Sequence, residues 1–123
     1  MKNVLITGAS HGIGAAAALA FGRAGYNVGV NYHNGKEEAE KIAEKIRENG
    51  VDAEIFCADV SVHDKCQNMV SSFVERFGKI DVLVNNAGGA LKMPEGGFEK
   101  MPMEYWDSQI NLNLNAAAYC SRY

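Results

Sequence analysis

The stretch VLITGASHGIGAAAA, residues 4–18, decides the fold. Its first three residues are apolar and have the length of a short buried strand. Gly8, Gly12 and Gly14 follow, and the alanine-rich run after them favours a helix. Glycine permits a tight turn and lets backbone N–H groups approach a phosphate, which the positive end of a helix dipole also attracts. The stretch therefore predicts a strand, a phosphate-binding turn and a helix.

The spacing of these glycines limits the ligand. It is G-x-x-x-G-x-G, whereas the better-known dinucleotide fingerprint is G-x-G-x-x-G. No Lys-Ser or Lys-Thr pair follows, so the group that reaches the β- and γ-phosphates in a P-loop is missing. Hydrolysis of ATP or GTP is therefore disfavoured. A tight turn alone would explain such a string, but its place between a strand and a helix favours a binding turn.

Apolar runs recur along the chain with helical patterns between them. The runs are residues 4–6, 28–30, 53–56 and 82–84. We expect Gly25 to end the first helix in a left-handed conformation, and the second helix to stop at residues 49–50. Ser61 and Asp64 predict a variant capping box at the start of the third helix, which ends at Gly78. Strands and helices that alternate in this way build an α/β fold with a parallel sheet.

The last third of the chain departs from this pattern. Residues 88–102 contain four glycines and both prolines, which predicts a loop. Three apolar residues of this loop could form a wall of a substrate site, although a surface loop is the simpler interpretation: Leu91, Met93 and Phe98. Residues 110–115 alternate as a strand would, but one helical stripe holds Trp106, Ile110, Asn113 and Ala117. We predict a helix over residues 103–123.

Composition excludes several classes of function. The 123 residues carry 12 basic and 15 acidic side chains, a net charge of −3, which is not the basic field of a nucleic-acid-binding protein. No apolar run approaches the about 20 residues of a membrane span, and the first run is too short for a signal peptide. Three cysteines without a C-x-x-C pair indicate a reducing, cytoplasmic setting.

A metal site is one possible function of the cysteines. His63 and Cys66 are three residues apart and share one helical face. They are two ligands where zinc normally has at least three from the protein, so we expect no metal. The simpler interpretation, which we favour, is that Cys57, Cys66 and Cys120 behave as small buried apolar residues.

Polar residues follow the strands at the edge where open parallel sheets bind ligands. Asp59, with Val60, follows the third strand and could accept a hydrogen bond from an adenine amino group or cap the next helix. NNAG, residues 85–88, follows the fourth strand and could fix an irregular turn through side-chain bonds to the backbone, or be an ordinary strand exit. The second strand ends in NYHN, residues 31–34, without a carboxylate for a ribose hydroxyl.

Four landmarks in this order resemble the short-chain dehydrogenase/reductase family: TGASHGIG at 7–14, Asp59-Val60, NNAG at 85–88 and Asn113 within WDSQINLNL. The chain is most similar to the ketoreductase and alcohol dehydrogenase members of that family, such as 3-oxoacyl-carrier-protein reductases and sugar dehydrogenases. The resemblance implies a Rossmann-type parallel sheet of strand order 3-2-1-4 with flanking helices, truncated after the fourth βα unit. Residues 1–123 would be the N-terminal cofactor-binding part of a domain that interconverts carbonyls and alcohols with NAD(P).

The resemblance also implies a role for each matching residue. Those that would line the pyrophosphate are Gly8, Gly12, Ile13 and Gly14. Those near the adenosine ribose are Ser10 and His11, and those that flank the adenine are Asp59 and Val60. Asn86, Ala87 and Gly88 would pass beside the ribose. Asn113 would organise a water in the proton relay.

The end of the second strand bears on the choice of cofactor. A carboxylate there would hold the ribose 2′-hydroxyl of NAD(H) and repel a 2′-phosphate. In this chain that place corresponds to Tyr32 or its neighbour His33, and His11 and Lys36 are further positive partners. Family members that use NADP often carry Arg or Lys at the place of His11, which this chain does not. We predict a preference for NADP(H) over NAD(H).

The family's chemistry also needs a Ser and a Tyr-x-x-x-Lys after the Asn, in which the Tyr acts as general acid and base. The chain has one Tyr-x-x-x-Lys, Tyr32 to Lys36, but it lies where the adenosine end of the cofactor is expected. We therefore expect the 123-residue chain alone to be inactive towards its small-molecule carbonyl or alcohol substrate. The missing fifth strand predicts a homo-oligomer, formed by strand-edge pairing or by exchange of the C-terminal segment.

Two alternatives remain at this point. The chain could be a non-catalytic dinucleotide-binding or interaction module, which a reading frame that stops after Tyr123 would favour. It could also bind S-adenosylmethionine, since methyltransferases share a glycine turn and an Asp after the third strand. The lack of an acid after the second strand and the presence of NNAG speak against this second alternative.

Overall fold

The computed structural model describes residues 1–89 and 96–123. In chain order its regular elements are β1 (Asn3–Ile6), α1 (Gly12–Arg23), β2 (Asn27–Tyr32), α2 (Lys36–Arg47), β3 (Ala53–Cys57), α3 (His63–Phe77), β4 (Val82–Val84), a 3-10 turn (Phe98–Lys100), α4 (Met103–Ile110), a π-helical segment (Asn111–Asn115) and α5 (Ala116–Arg122). Of the three loop residues proposed for a substrate wall, Leu91 and Met93 lie outside the described residues. Phe98 is exposed and packs edge-on against Trp106.

The four strands form one parallel sheet of order β3-β2-β1-β4, which confirms the expected order and the α/β fold class. Val4 in β1 pairs with Val28 in β2 on one side and with Val82 in β4 on the other. Right-handed crossovers place helices on both faces of such a sheet, so its two inner strands, β2 and β1, are covered on both sides.

Two apolar layers, one on each face of the sheet, follow from the alternation of side chains along a strand. Val4 and Ile6 of β1 point into the layer that α1 and α2 cover, whereas Leu5 points into the layer under α3 and α5. Phe73 of α3 is completely buried against Gly29 of β2. A Cβ atom on Gly29 would lie 2.5 Å from the Phe73 ring, so glycine at this position makes room for the aromatic side chain.

The helix ends confirm one predicted signal and correct another. Gly25 has φ +92° directly after α1, as expected for a left-handed terminus. The capping box predicted from Ser61 and Asp64 is wrong. The third helix begins at His63, and the described residues provide no side-chain cap at its N-terminus. The Ser61 hydroxyl instead donates to Asp59, at 2.6 Å.

Helix over the last segment is confirmed, since α4, the π-helical segment and α5 follow one another without a break. The widened turn at 111–115 coincides with the INLNLN run, whose alternation made the sequence ambiguous. Leu112 of this segment lies at the carboxyl end of the sheet, beside the residues predicted to bind the cofactor.

The cysteines behave as predicted at two positions of three. Cys66 and Cys120 are buried in the layer between α3 and α5, and burial together with a hydrogen bond to Cys120 raises the pKa of the Cys66 thiol to about 12. Cys57 is exposed, so the prediction is wrong for this residue, which ends β3 at the edge of the sheet. Within residues 1–89 and 96–123, no three metal-ligating side chains of the His, Cys, Asp or Glu type cluster, and no helix is long and apolar enough to cross a membrane.

Candidate functional site

A cleft of about 500 Å³ lies at the carboxyl ends of the strands. It is lined by the turn after β1 and by the exits of β2, β3 and β4, with one residue from the π-helical segment. The lining residues are Gly8, Ser10, His11, Gly12, Ile13, Asn31, His33, Asn34, Ala58, Asp59, Val60, Asn86, Ala87, Gly88 and Leu112. Eleven of the thirteen residues predicted for cofactor binding are among them; the other two are Gly14 and Tyr32.

The glycine turn is tight because another loop presses against it. Gly8 has φ +62°, and a Cβ atom on it would lie 2.9 Å from the Cα atom of Ala87. Gly12 has φ +55° and faces space in which no described atom lies within 4 Å of a Cβ atom. The sequence therefore places glycine both where the chain is crowded and where it opens into the cleft.

The N-terminus of α1 points its unpaired backbone groups at this opening. His11 precedes the helix in an extended conformation, and within the described residues no side chain caps the helix and its first turn holds no acidic group. The first N–H groups of a helix lack partners within it and carry partial positive charge. The turn therefore offers hydrogen-bond donors and favourable potential to an anion.

The NNAG turn is fixed by side-chain bonds to the backbone, as predicted. Thr7 Oγ1 accepts hydrogen bonds from the N–H groups of Asn86 at 3.0 Å and Ala87 at 2.9 Å. Asn86 Nδ2 donates in return to the carbonyl oxygens of Thr7 at 3.1 Å and Gly8 at 3.0 Å. The exit of β4 is thereby tied to the glycine turn. Thr7 was not predicted to do this.

Asn31 is a second residue that the sequence did not identify as functional. Its side chain is buried, and its Oδ1 accepts a hydrogen bond from the N–H of Gly8 at 3.0 Å. Its Nδ2 donates to the carbonyl oxygens of Phe56 and Ala58. The available signal was a single amide side chain inside the apolar run VGVNY.

Asp59 does not cap α3, which was the alternative to an adenine contact. Its Oδ1 accepts from the Ser61 N–H at 3.0 Å and from the Ser61 hydroxyl, while its Oδ2 lies 3.9 Å from Nε2 of His33. Burial alone would raise the pKa of Asp59, but the two bonds from Ser61 and the nearby His33 outweigh it and lower that pKa. A carboxylate is therefore held ionised on the wall of the cleft.

Two histidines flank the end of the cleft beside β2. His11 Nδ1 hydrogen-bonds with Ser10 Oγ at 2.8 Å, and its ring packs against Gly35, which has φ +93° and precedes α2. His33 is largely exposed. Tyr32, in contrast, is buried in the layer under α1 and α2 and is not in the described lining of the cleft. Of the two positions considered for the end of the second strand, His33 is the one that faces the cleft.

Asn113 lies in the π-helical segment beside the exit of β4. Its Oδ1 accepts from the Gly89 N–H at 3.0 Å, and its Nδ2 donates to the carbonyl oxygens of Gly89 at 2.9 Å and Gln109 at 3.0 Å. The amide therefore tethers the segment after NNAG to the helix, and the described lining of the cleft includes its neighbour Leu112 instead. The water-organising role of Asn113 stays a prediction.

The family model for short chain dehydrogenases matches residues 2–123. The chain belongs to the short chain dehydrogenase family. The family resemblance drawn from the four landmarks is thereby confirmed.

The curated relatives are longer than this chain. A 3-oxoacyl-[acyl-carrier-protein] reductase of Staphylococcus aureus is 41% identical over 119 residues, which are 97% of this chain and 47% of the relative. The chain thus spans about half the length of the curated relatives it matches.

Two solved structures superpose closely on nearly the whole chain. An NADH-dependent reductase A1-R′ complexed with NAD has a TM-score of 0.91 at 38% identity, over 98% of this chain and 49% of the other. A putative dehydrogenase from Burkholderia cenocepacia with bound NADP has a TM-score of 0.90 at 27% identity, over 98% and 46%. These likenesses agree with the fold derived from the sequence.

Proposed function

We propose that this chain binds a nicotinamide dinucleotide in the cleft, with the pyrophosphate at the N-terminus of α1. The observation that carries the proposal is this terminus: Gly12 opens into free space, and the described first turn has neither a side-chain cap nor an acidic residue. A helix start of this kind is a ready anion site. When bound, the dinucleotide would supply a hydride to a carbonyl carbon in its reduced form, or take one from the corresponding alcohol carbon in its oxidised form.

The residues that follow the strands would each hold a different part of the dinucleotide. The backbone of the glycine turn would take the pyrophosphate, and the carboxylate of Asp59 could accept from an adenine amino group. Asn86 and Ala87 would pass beside a ribose, held in place by Thr7. Family membership supports this division, and the two superposed relatives are described with NAD and with NADP bound.

Ligand-dependent stability tests the binding proposal. A ligand at about 100 times its Kd stabilises the folded state by about 2.7 kcal/mol, so NADPH should raise the midpoint of thermal unfolding of the purified chain. S-Adenosylmethionine at the same concentration should leave the midpoint unchanged, because the family assignment does not favour the methyltransferase alternative. A shift with S-adenosylmethionine and none with NADPH would overturn the proposal.

We extend the proposal to NADP(H) as the preferred cofactor. His11 and His33 line the end of the cleft beside β2, and the one carboxylate in the described lining is Asp59, which His33 faces. A protonated histidine would attract a 2′-phosphate. The carboxylate of Glu38, in contrast, would repel a 2′-phosphate. It lies beside Gly35 together with His11: a Cβ atom on Gly35 would be 2.9 Å from the His11 ring and 3.1 Å from Glu38 Oε2.

Two substitutions with opposite expected signs test this preference. His11→Gln should weaken NADPH binding several-fold while it leaves NADH binding nearly unchanged. Glu38→Gln should strengthen NADPH binding, because it removes a negative charge near the same place. Equal changes for both cofactors in both variants would show that neither residue discriminates the 2′-phosphate.

The overall reaction that we propose is the interconversion of a small-molecule carbonyl and an alcohol, with residues 1–123 as the cofactor-binding part of the domain. We do not assign the proton donor to the chain's one Tyr-x-x-x-Lys, since Tyr32 is buried under α1 and α2 and is not in the described lining of the cleft. We therefore expect the 123-residue chain to bind NADPH without oxidising it in the presence of generic ketones. Sustained oxidation that requires the ketone would contradict this expectation.

We also propose that the chain forms homo-oligomers. Within the described residues β4 pairs with β1 alone, and its three residues are only half-buried. An unpaired strand edge is a template for another chain, either through edge pairing or through exchange of the C-terminal segment. Sedimentation velocity should show a dimer or larger species, and a monomer throughout a wide concentration series would contradict the proposal.

A further inference from the structure

Asn31 holds two consecutive N–H groups of the glycine turn. Its main-chain carbonyl accepts from Ala9 at 2.8 Å, and its side-chain Oδ1 accepts from Gly8 at 3.0 Å. Only 2% of the residue is exposed, so these bonds are protected from water. A buried N–H that loses its acceptor costs about 1–3 kcal/mol, which makes the turn sensitive to this one side chain.

The other half of the same amide holds the exit of β3. Asn31 Nδ2 donates to the carbonyl oxygens of Phe56 at 3.1 Å and Ala58 at 3.3 Å, and Ala58 immediately precedes Asp59. One side chain therefore spans the distance between the glycine turn and the wall that carries Asp59. In the proposed function these are the pyrophosphate and adenine ends of the site.

We propose that Asn31 is a positioning residue that fixes the spacing between the pyrophosphate and adenine ends of the cleft; this inference rests on the proposed dinucleotide binding. The site requires an acceptor towards Gly8 and a donor towards two carbonyl oxygens at the same time. A neutral amide meets both demands. An ionised carboxylate meets the first and repels the carbonyl oxygens, and an aliphatic side chain meets neither.

Asn27 provides a matched control on the same strand. Its Nδ2 donates to Asn3 Oδ1 at 3.0 Å, and its Oδ1 accepts from the Asp52 N–H at 2.9 Å. It therefore bridges β2 to its neighbours as Asn31 does, but at the opposite end of the strand from the cleft. If Asn31 only stabilised the sheet, the two residues would respond alike to substitution.

The experiment compares Asn31→Asp with Asn27→Asp in the 123-residue chain, by calorimetric titration of NADPH and by urea unfolding. At about pH 8, where a carboxyl group is ionised, Asn31→Asp should weaken NADPH binding at least about tenfold. At about pH 5, protonation of the buried carboxyl group restores a donor, and the deficit relative to wild type should shrink. Asn27→Asp should lower the free energy of unfolding but keep the affinity within about twofold of wild type.

The wild-type chain is measured at each pH as the reference, because the cleft contains Asp59, His33 and His11 in every variant. Should Asn31→Asp fail to fold, Asn31→Ser replaces it, since serine retains one acceptor and one donor but cannot span both partners. Asn31→Ser should then lose about tenfold in NADPH affinity and much less for adenosine, which has no phosphate and therefore does not reach the pyrophosphate end of the site.

The outcomes distinguish a failure of the proposed dinucleotide binding from a failure of the positioning role of Asn31. If the folded wild-type chain does not bind NADPH, the proposed function fails and this inference fails with it. If the wild type binds and the Asn31 variants match the Asn27 variant in affinity, only the positioning role is overturned. An equal loss of adenosine and NADPH affinity in Asn31→Ser would also overturn it.

Discussion

A Cβ atom on Gly14 would overlap the carbonyl oxygen of Gly8, and it would lie 2.5 Å from Nδ2 of Asn86. The first turn of α1 thus packs directly against the start of the glycine turn. The Asn86 side chain fills the remaining space beside Gly14. This contact explains why the third glycine of the string is needed although its φ is not left-handed.

Gly14→Ala and Gly12→Ala should therefore differ in stability. Gly12→Ala meets no described atom within 4 Å and should cost about 1–2 kcal/mol for its left-handed backbone. Gly14→Ala must displace backbone as well as Asn86, and should cost more. Urea unfolding of both variants measures the difference, and equal destabilisation would contradict the contact.

Thr7 should be intolerant of an isosteric apolar replacement. Thr7→Val keeps the shape but leaves the Ala87 N–H without its acceptor and the Asn86 N–H with only the Val84 carbonyl oxygen, so it should cost about 1–3 kcal/mol. Thr7→Ser keeps the hydroxyl and serves as the control. A Thr7→Val variant as stable as Thr7→Ser in urea would show that these bonds do not hold the NNAG turn.

The lowered pKa of Asp59 predicts how Ser61 contributes to stability at different pH. A carboxyl group whose pKa is lower in the folded state adds stability above its unfolded pKa, about 3.9, and loses it as the pH falls through the folded value. Ser61→Ala should raise the folded pKa towards the unfolded one. The stability difference between wild type and Ser61→Ala should accordingly be largest near neutral pH and shrink below about pH 4. A difference independent of pH, measured by unfolding across that range, would contradict this.

The three cysteines should separate by reactivity. The thiolate is the reactive form, and burial raises the pKa of both Cys66 and Cys120, whereas Cys57 is exposed. One thiol should react rapidly with a thiol reagent in the native chain, and all three should react after unfolding. Cys57→Ser should abolish the rapid reaction. Rapid native labelling in that variant would show that the interface between α3 and α5 opens readily.

Sequence patterns predicted the elements and their order because these depend on local periodicity. The strand-helix alternation and the rule of right-handed crossovers leave few sheet orders, and the observed β3-β2-β1-β4 is the one that the family resemblance implied. The glycine turn and the NNAG turn were also identified locally, since glycine and asparagine favour turns at strand ends.

The long-range bonds of the site could not be predicted in the same way. Thr7 and Asn86 are 79 positions apart, and the partners of Asn31 are 23 to 27 positions away. The sequence shows only a polar side chain beside an apolar strand in each case. Ser61 was misassigned for a related reason: its hydroxyl can cap a helix or bond to Asp59, and only the folded backbone decides between these partners.

Calorimetric titration of NADPH and NADH into the purified 123-residue chain shows whether the cleft binds a dinucleotide and which one it prefers. Saturable binding of one NADPH per chain, with a lower Kd than for NADH, is the result that the cleft and its two histidines predict. A chain that is folded by circular dichroism but shows no saturable heat with either dinucleotide would contradict the claim that this cleft is a dinucleotide site.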